Sequence, residues 1–371
     1  MITKKGIAVA AMLLTLTVSA PLMAQRRNAN ETGQRGAQGP DVYAPKAASQ
    51  EESKAFTAMQ SEANPANRIT LSDQFLTTYP NSQLAGYVQR FRMESFSKLG
   101  KFKEAAAAGE AGLDLETKYL SDLIAKADEQ AAAAKNSKDK NKDKNADKNA
   151  AVIDKNSDAF KSYVDNTEKA MMYYYQNLMS DYQALNDAPK TIEWAQKALG
   201  QQPDDLLTLL TLSSVMAARP SNDPKEMEKQ MKEAEEHAKK ALSQVNALVN
   251  SPAGAQMKPE DKAGLQSSAH QTLGRIYFNT KKYPEAQREY GAAIVAKKDD
   301  GDSYFYMGLA LAQDKPPKVD DAMENLAKAV FLKGPSQPQA NDVLKQLYQN
   351  VKKSMDGYDD FIKAAGAKIG K

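Results

Sequence analysis

Residue types that do chemistry are sparse in this chain. It has no cysteine, which excludes disulfides, thiolate metal sites, a cysteine nucleophile and a lipid-modified N-terminal cysteine. Its only histidines are His237 and His270, too few for a multi-histidine metal site or a histidine relay. No phosphate-cradling Gly-rich loop, serine-elbow pentapeptide or paired-histidine motif occurs. The run KKDDGD at 297–302 has the acids of a calcium loop without the spaced ligands or the closing bidentate glutamate. It reads instead as a cap for the helix that follows. Carboxylate pairs abound, but on amphipathic helices they carry little information about acid–base catalysis, which needs a shared pocket. The expectation is therefore no enzyme, no cofactor and no bound metal.

The elements that would position any binding residues are helices. From Glu51 onward the apolar residues recur at helical spacing, and no alternating Val/Ile/Thr run signals a sheet. A longer period lies over that one. Counting Ser267 as position 1, Leu273, Gly274, Tyr277, Ala286, Tyr290 and Ala293 fall at 7, 8, 11, 20, 24 and 27. A unit starting 34 residues later at Gly301 repeats the pattern with Tyr304 at 4, then Met307, Gly308 and Leu311. Pro316 and Pro317 lengthen its turn before Ala322, Leu326 and Ala329. Weaker copies start at Met172 (Tyr175, Leu178, Tyr182, Ala195, Ala198), Leu206 (Leu209, Leu212, Met216, Ala234, Ala238, Ala241) and Gly86 (Phe96, Ala105). Small residues at 8 and 20 let two helices approach, while large ones at 7, 11 and 24 fill the gaps between hairpins. His270, at position 4, reads as a packing residue, and His237, in KEAEEHAKKAL, as a solvated one.

On these residues the chain resembles the tetratricopeptide-repeat family over about residues 52–336. The resemblance implies an all-α, right-handed superhelical α-solenoid of helical hairpins whose inner groove binds a protein or peptide. It also implies groove-lining helix-A positions 2, 5, 9 and 12. The candidate binding residues are thus Tyr173, Gln176, Gln271, Arg275, Phe278, Asp302 and Phe305, with Phe278 and Phe305 expected as exposed aromatic anchors. The lysine and asparagine clamp of chaperone-binding members is not reproduced.

The rest of the chain frames this array. Residues 1–24, with Lys4 and Lys5 before an apolar run from Ile7 to Val18 and small residues to Ala24, read as a signal peptide; that run is about a dozen residues where a span needs ~20. Its removal lowers the net charge from +3 to +1, since it holds two lysines and no acid. No global charge then favours nucleic acid. Residues 25–50 read as a disordered leader and 51–134 as degenerate TPR-like helices. Residues 135–157, where KNSKDKNKDKNADKN lacks large apolar side chains, read as a flexible linker between two arrays. A TPR array occupies 158–336, and 337–371 supplies a capping helix and tail, with Val343, Leu347, Tyr348 and Val351 facing the last hairpin. The cluster Met171, Met172, Tyr173, Tyr174, Tyr175 is expected to contact the preceding long helix, and Trp194 to be partly buried between repeats.

The functional expectation is an exported, non-enzymatic scaffold, periplasmic or secreted, that binds a protein partner in the bacterial cell envelope. Alternatives are an assembly factor for outer-membrane or cell-wall machinery and an envelope hydrolase on a helical solenoid. No nucleic-acid partner and no transmembrane span after signal cleavage are expected.

Overall fold

A computed structural model describes residues 42–137 and 152–369. The expected signal peptide, the leader up to residue 41 and residues 138–151 of the linker lie outside these. Among the described residues there are fifteen helices and no strand: α1 (Gln50–Ser61), α2 (Pro65–Thr78), α3 (Ala85–Lys98), α4 (Phe102–Ser137), α5 (Asp158–Ala184), α6 (Ala188–Gln201), α7 (Leu206–Ala218), α8 (Pro224–Val249), α9 (Pro252–Ala255), α10 (Pro259–Asn279), α11 (Tyr283–Ala296), α12 (Gly301–Gln313), α13 (Val319–Leu332), α14 (Gln337–Lys352) and α15 (Tyr358–Gly366). No described helix is long and apolar enough to cross a membrane.

Local chemistry sets the helix starts. Ser49, Asn64, Ser157, Asp187, Asp205, Asp223 and Asp300 each accept a backbone N–H of the first turn through the side chain, satisfying donors that the helix itself leaves open. Asp300 belongs to the KKDDGD run, which serves here as a helix cap.

The helices form two compact units. One comprises the described residues through Pro203 and the other begins at Asp204. In the first unit each helix packs on the next, from α1 to α6. In the second, α7 pairs with α8, α10 with α11 and α12 with α13. Each new first helix also lies against both members of the hairpin before it: α10 on α7 and α8, α12 on α10 and α11, and α14 on α12 and α13. An amphipathic hairpin leaves one face bare, and this stacking covers it.

The repeat positions are the buried ones. Leu273, Tyr277, Ala286, Tyr290 and Ala293 are buried, as are Tyr304, Leu311, Ala322, Leu326 and Ala329, and Leu209, Leu212, Met216, Ala234, Ala238 and Ala241. Gly274 is packed so tightly that a Cβ there would come within 2.8 Å of the Tyr290 ring, and one at Gly308 within 2.7 Å of Leu326. The chain is thus an all-α stack of TPR-like hairpins.

Three expectations need revision. The leader is not free to its end, because Tyr43 packs its ring on Phe160 at 5.3 Å. Residues 135–157 do not separate one array from another: α4 and α5, on either side, pack together inside the first unit, and the boundary falls at 203/204. In the cap, Leu344 rather than Val351 faces inward; Leu344 is fully buried and Val351 is exposed, because Ala340, Leu344 and Tyr348 share one stripe at i, i+4 spacing. Tyr358 is buried in the same cluster, with Phe361 and Ile362 against it.

Candidate binding surfaces

The first unit is organised around Tyr174. Its hydroxyl donates to Glu116 Oε1 at 2.7 Å and lies 3.2 Å from the Gly86 carbonyl. Glu116 also receives Arg90 in a forked pair, with Nη2–Oε2 at 2.5 Å, and the guanidinium lies over the rings of Tyr87 at 5.0 Å and Tyr174 at 5.6 Å. Burial disfavours the Arg90 charge, but the Glu116 carboxylate outweighs it and holds the guanidinium pKa above its usual value. Burial, reinforced by Glu116, pushes the Tyr174 phenol well up. Gly86 and Gly112 make room: a Cβ at Gly86 would meet Glu116 Cγ at 2.6 Å, and one at Gly112 the Tyr174 hydroxyl at 2.5 Å.

The neighbours of Tyr174 follow suit. Tyr173 donates to Glu94 on α3 at 2.9 Å, and Tyr175 stacks on Trp194 at 5.9 Å. Tyr182 donates to Glu110 on α4 at 2.8 Å, while Ser97 donates to the buried Asp181 at 2.9 Å. The aromatic cluster therefore packs against α3, α4 and α6. Trp194, only 5 % exposed, is more deeply buried than expected, with Lys197 Nζ 3.8 Å from its ring. Tyr173 is half-buried with its hydroxyl engaged, and Gln176 is half-buried on the same helix.

The second unit holds the remaining candidates. Gln271 donates to Asp300 and, at 3.0 Å, to Ser303; Asp300 also accepts from Ser267 at 2.8 Å. Asp302 accepts the Ser336 N–H at 3.1 Å. Both candidates thus stitch one hairpin to the next. Phe305 is a correction: at 6 % exposure it lies in the C-terminal core with Leu309, Met323, Leu344 and Tyr348, not on an open groove. The cap covers its side of α12, something a repeat position cannot reveal.

Arg275 and Phe278 remain half-buried. Phe278 meets Tyr283 edge-on at 5.7 Å and Tyr306 at 6.5 Å. Tyr306 in turn stacks on Tyr290 at 5.7 Å, with 14° between planes. Arg275 lies over Tyr306 at 5.2 Å and makes no ion pair with a carboxylate among the described residues, whereas Arg68, Arg90, Arg92 and Arg288 each do. Between the same two helices, α10 and α11, His270 Nδ1 and Glu289 Oε2 are 2.8 Å apart. Burial raises the Glu289 pKa, but the His270 hydrogen bond and charge outweigh it, with Arg288 adding, and hold the carboxyl below its usual range. His237 lies 3.7 Å from Glu233. No group of three or more His, Asp or Glu residues placed to hold a metal ion occurs among the described residues.

Sequence reasoning missed Tyr43, the Arg90–Glu116–Tyr174 cluster and the close approaches at Gly86, Gly109 and Gly112. Only the glycines left a signal: Gly109 and Gly112 lie three apart in the small-residue run AAAAGEAGL, which marks a helix face pressed against a neighbour.

No protein-family model and no curated protein matches the chain. Solved structures similar to it include a chain of the APC/C hetero-tetramer Cut9–Hcn1, at 13 % identity over 80 % of this chain and 54 % of that one, with a TM-score of 0.38. A human IFIT1 dimer with PPP-AAAA is similar at 13 % identity over 85 % and 69 %, TM-score 0.40. The TPR2AB-domain:pHSP90 complex of yeast Sti1 is similar at 15 % over 86 % and 96 %, TM-score 0.21. The chain spans about half the length of the first of these. All three scores are below 0.5, and the fold class rests on the hairpin packing of this chain itself.

Proposed function

We propose that the chain is an exported, non-catalytic scaffold of the bacterial cell envelope that holds a protein or peptide partner on the second unit, around Arg275 and Phe278. The observation that carries this reading is Arg275: a half-buried side chain whose guanidinium is laid on an aromatic ring and given no carboxylate of its own among the described residues. Such a group pairs with an anionic or carbonyl-rich partner at little desolvation cost, and a neighbouring aromatic adds apolar contact. Tyr173, Gln271 and Asp302 contribute less, since each already has an internal hydrogen bond. The exported setting rests on the residues that read as a signal peptide.

Affinity capture from crosslinked cell envelopes tests this reading, with the chain, Arg275→Glu and Phe278→Ala as baits. The expected outcome is a partner held by the first and lost by both variants. Equal retention by all three would remove Arg275 and Phe278 from the site.

A further inference from the structure

We propose that residues 43–48 are a displaceable strap occupying a peptide-binding slot of the first unit, a slot that takes an irregular peptide with an aromatic residue two positions before a proline. This goes beyond the Arg275 reading and uses other residues in the other unit.

The strap carries no helix or ladder of its own, yet side chains of α4, of the turn between α2 and α3 and of the first turn of α1 hold its main chain. The Tyr119 hydroxyl donates to the Tyr43 carbonyl at 3.1 Å. The Lys46 N–H donates to Gln83 Oε1 at 3.2 Å, and the Ala48 N–H to Glu52 Oε2 at 2.6 Å. Side chains reading main-chain groups are how a preformed surface grips a peptide whatever its sequence. Specificity comes from Tyr43, whose ring meets Phe160 edge-on at 5.3 Å and whose hydroxyl lies 3.5 Å from Ser157 Oγ. The slot is built of buried aromatics: Phe160 and Tyr163 are 5 % and 4 % exposed, and Tyr119 packs against Tyr163 at 6.2 Å. Pro45 suits the segment because it has no N–H to satisfy and stiffens the backbone. The occupant itself is loosely held. Val42 and Lys46 are exposed and Tyr43 is only half-buried, the profile of a segment that opens locally without global unfolding.

The test uses the full chain and a fluorescent VYAPKA peptide, the sequence of residues 42–47. In the wild type the tethered strap competes; at an effective concentration of ~1 mM against a strap dissociation constant of ~0.1 mM, it weakens peptide binding about tenfold. Tyr43→Ala should therefore bind VYAPKA about tenfold more tightly than the wild type, while VAAPKA binds neither. Adding Tyr119→Phe to Tyr43→Ala, which deletes one hydroxyl and leaves the ring, should weaken binding severalfold. In the unmutated chain, excess unlabelled VYAPKA should speed amide exchange at Lys46, whose N–H is held by Gln83. The proposal is overturned by no saturable binding to Tyr43→Ala, by equal binding to wild type and Tyr43→Ala, by indifference to Tyr119→Phe, or by unchanged exchange.

Discussion

Gly112 and Gly264 both sit inside long helices, yet their surroundings give substitution opposite signs. A methyl at Gly264 meets nothing within 4 Å, so Gly264→Ala gains helix propensity and should stabilise by about 1 kcal/mol. At Gly112 the same gain is opposed by Tyr174, which cannot withdraw without leaving Glu116 and the Gly86 carbonyl. Overpacking of this kind costs about 1–3 kcal/mol, so Gly112→Ala should lower the urea midpoint while Gly264→Ala raises it. Glu116→Ala should cost about 3 kcal/mol, because it strands the Arg90 charge among aromatic rings, and the double variant Arg90→Met, Glu116→Leu should recover most of that loss. Glu289 sets an acid limit. Its folded pKa lies below its unfolded value, so its contribution is present above the unfolded pKa of about 4.5 and is lost as pH falls through the folded one. In paired denaturation curves from pH 7 down to ~3, Glu289→Gln should flatten that decline relative to the wild type.

At the scale of the element, Phe278 and Phe305 both fall at groove positions of their repeats, 12 and 5, and the structure separates them. Phe305 lies in a core completed by α13, α14 and α15, so Phe305→Ala should cost about 3–5 kcal/mol, as large core truncations do. Phe278→Ala, at a half-buried site, should cost clearly less, and thermal melts of the two decide it. The contrast shows what the sequence could disclose. Positions 7, 8, 11, 20, 24 and 27 lie where helices of a hairpin or its neighbour must touch, so residue size alone identifies Gly274, Tyr290 or Leu326. Groove positions are defined by what is left uncovered, and that depends on the next element. Gln271 and Asp302 are drawn into inter-hairpin hydrogen bonds, and Phe305 is covered by a cap whose docking no spacing rule encodes. The Asp314 turn shows the same limit. Its two extra prolines are visible in the sequence, but not that Gln287 and Lys318 on flanking elements, with the Lys315 N–H, hold the Asp314 carboxyl down at about 2 and so fasten the longer turn.

At the scale of the molecule, the place where the chain divides has a consequence for cutting it. A break in the low-complexity stretch would separate α4 from α5 and strip cover from Tyr174 and Leu178, both fully buried, leaving an apolar face exposed on each piece. Asp204 and Asp205 belong with the second unit: Lys240 pairs with the Asp204 carboxylate at 2.5 Å, Gln244 donates to its carbonyl at 3.1 Å, and Asp205 accepts from Thr208 Oγ1 at 2.6 Å while capping α7. A fragment of residues 204–371 should therefore fold alone, with helical circular dichroism and one cooperative melt. Starting it at Leu206 should lower its stability by about 1 kcal/mol through loss of the cap. A fragment ending at residue 150 should bind a hydrophobic dye and lack a cooperative transition, because Glu116 and Arg90 would lose Tyr174, and Gly109 and Gly112 would face water. If that fragment melted as sharply as 204–371 does, α3 and α4 would be a folding unit without α5, and the role given to Tyr174 as the centre of the first unit would fail.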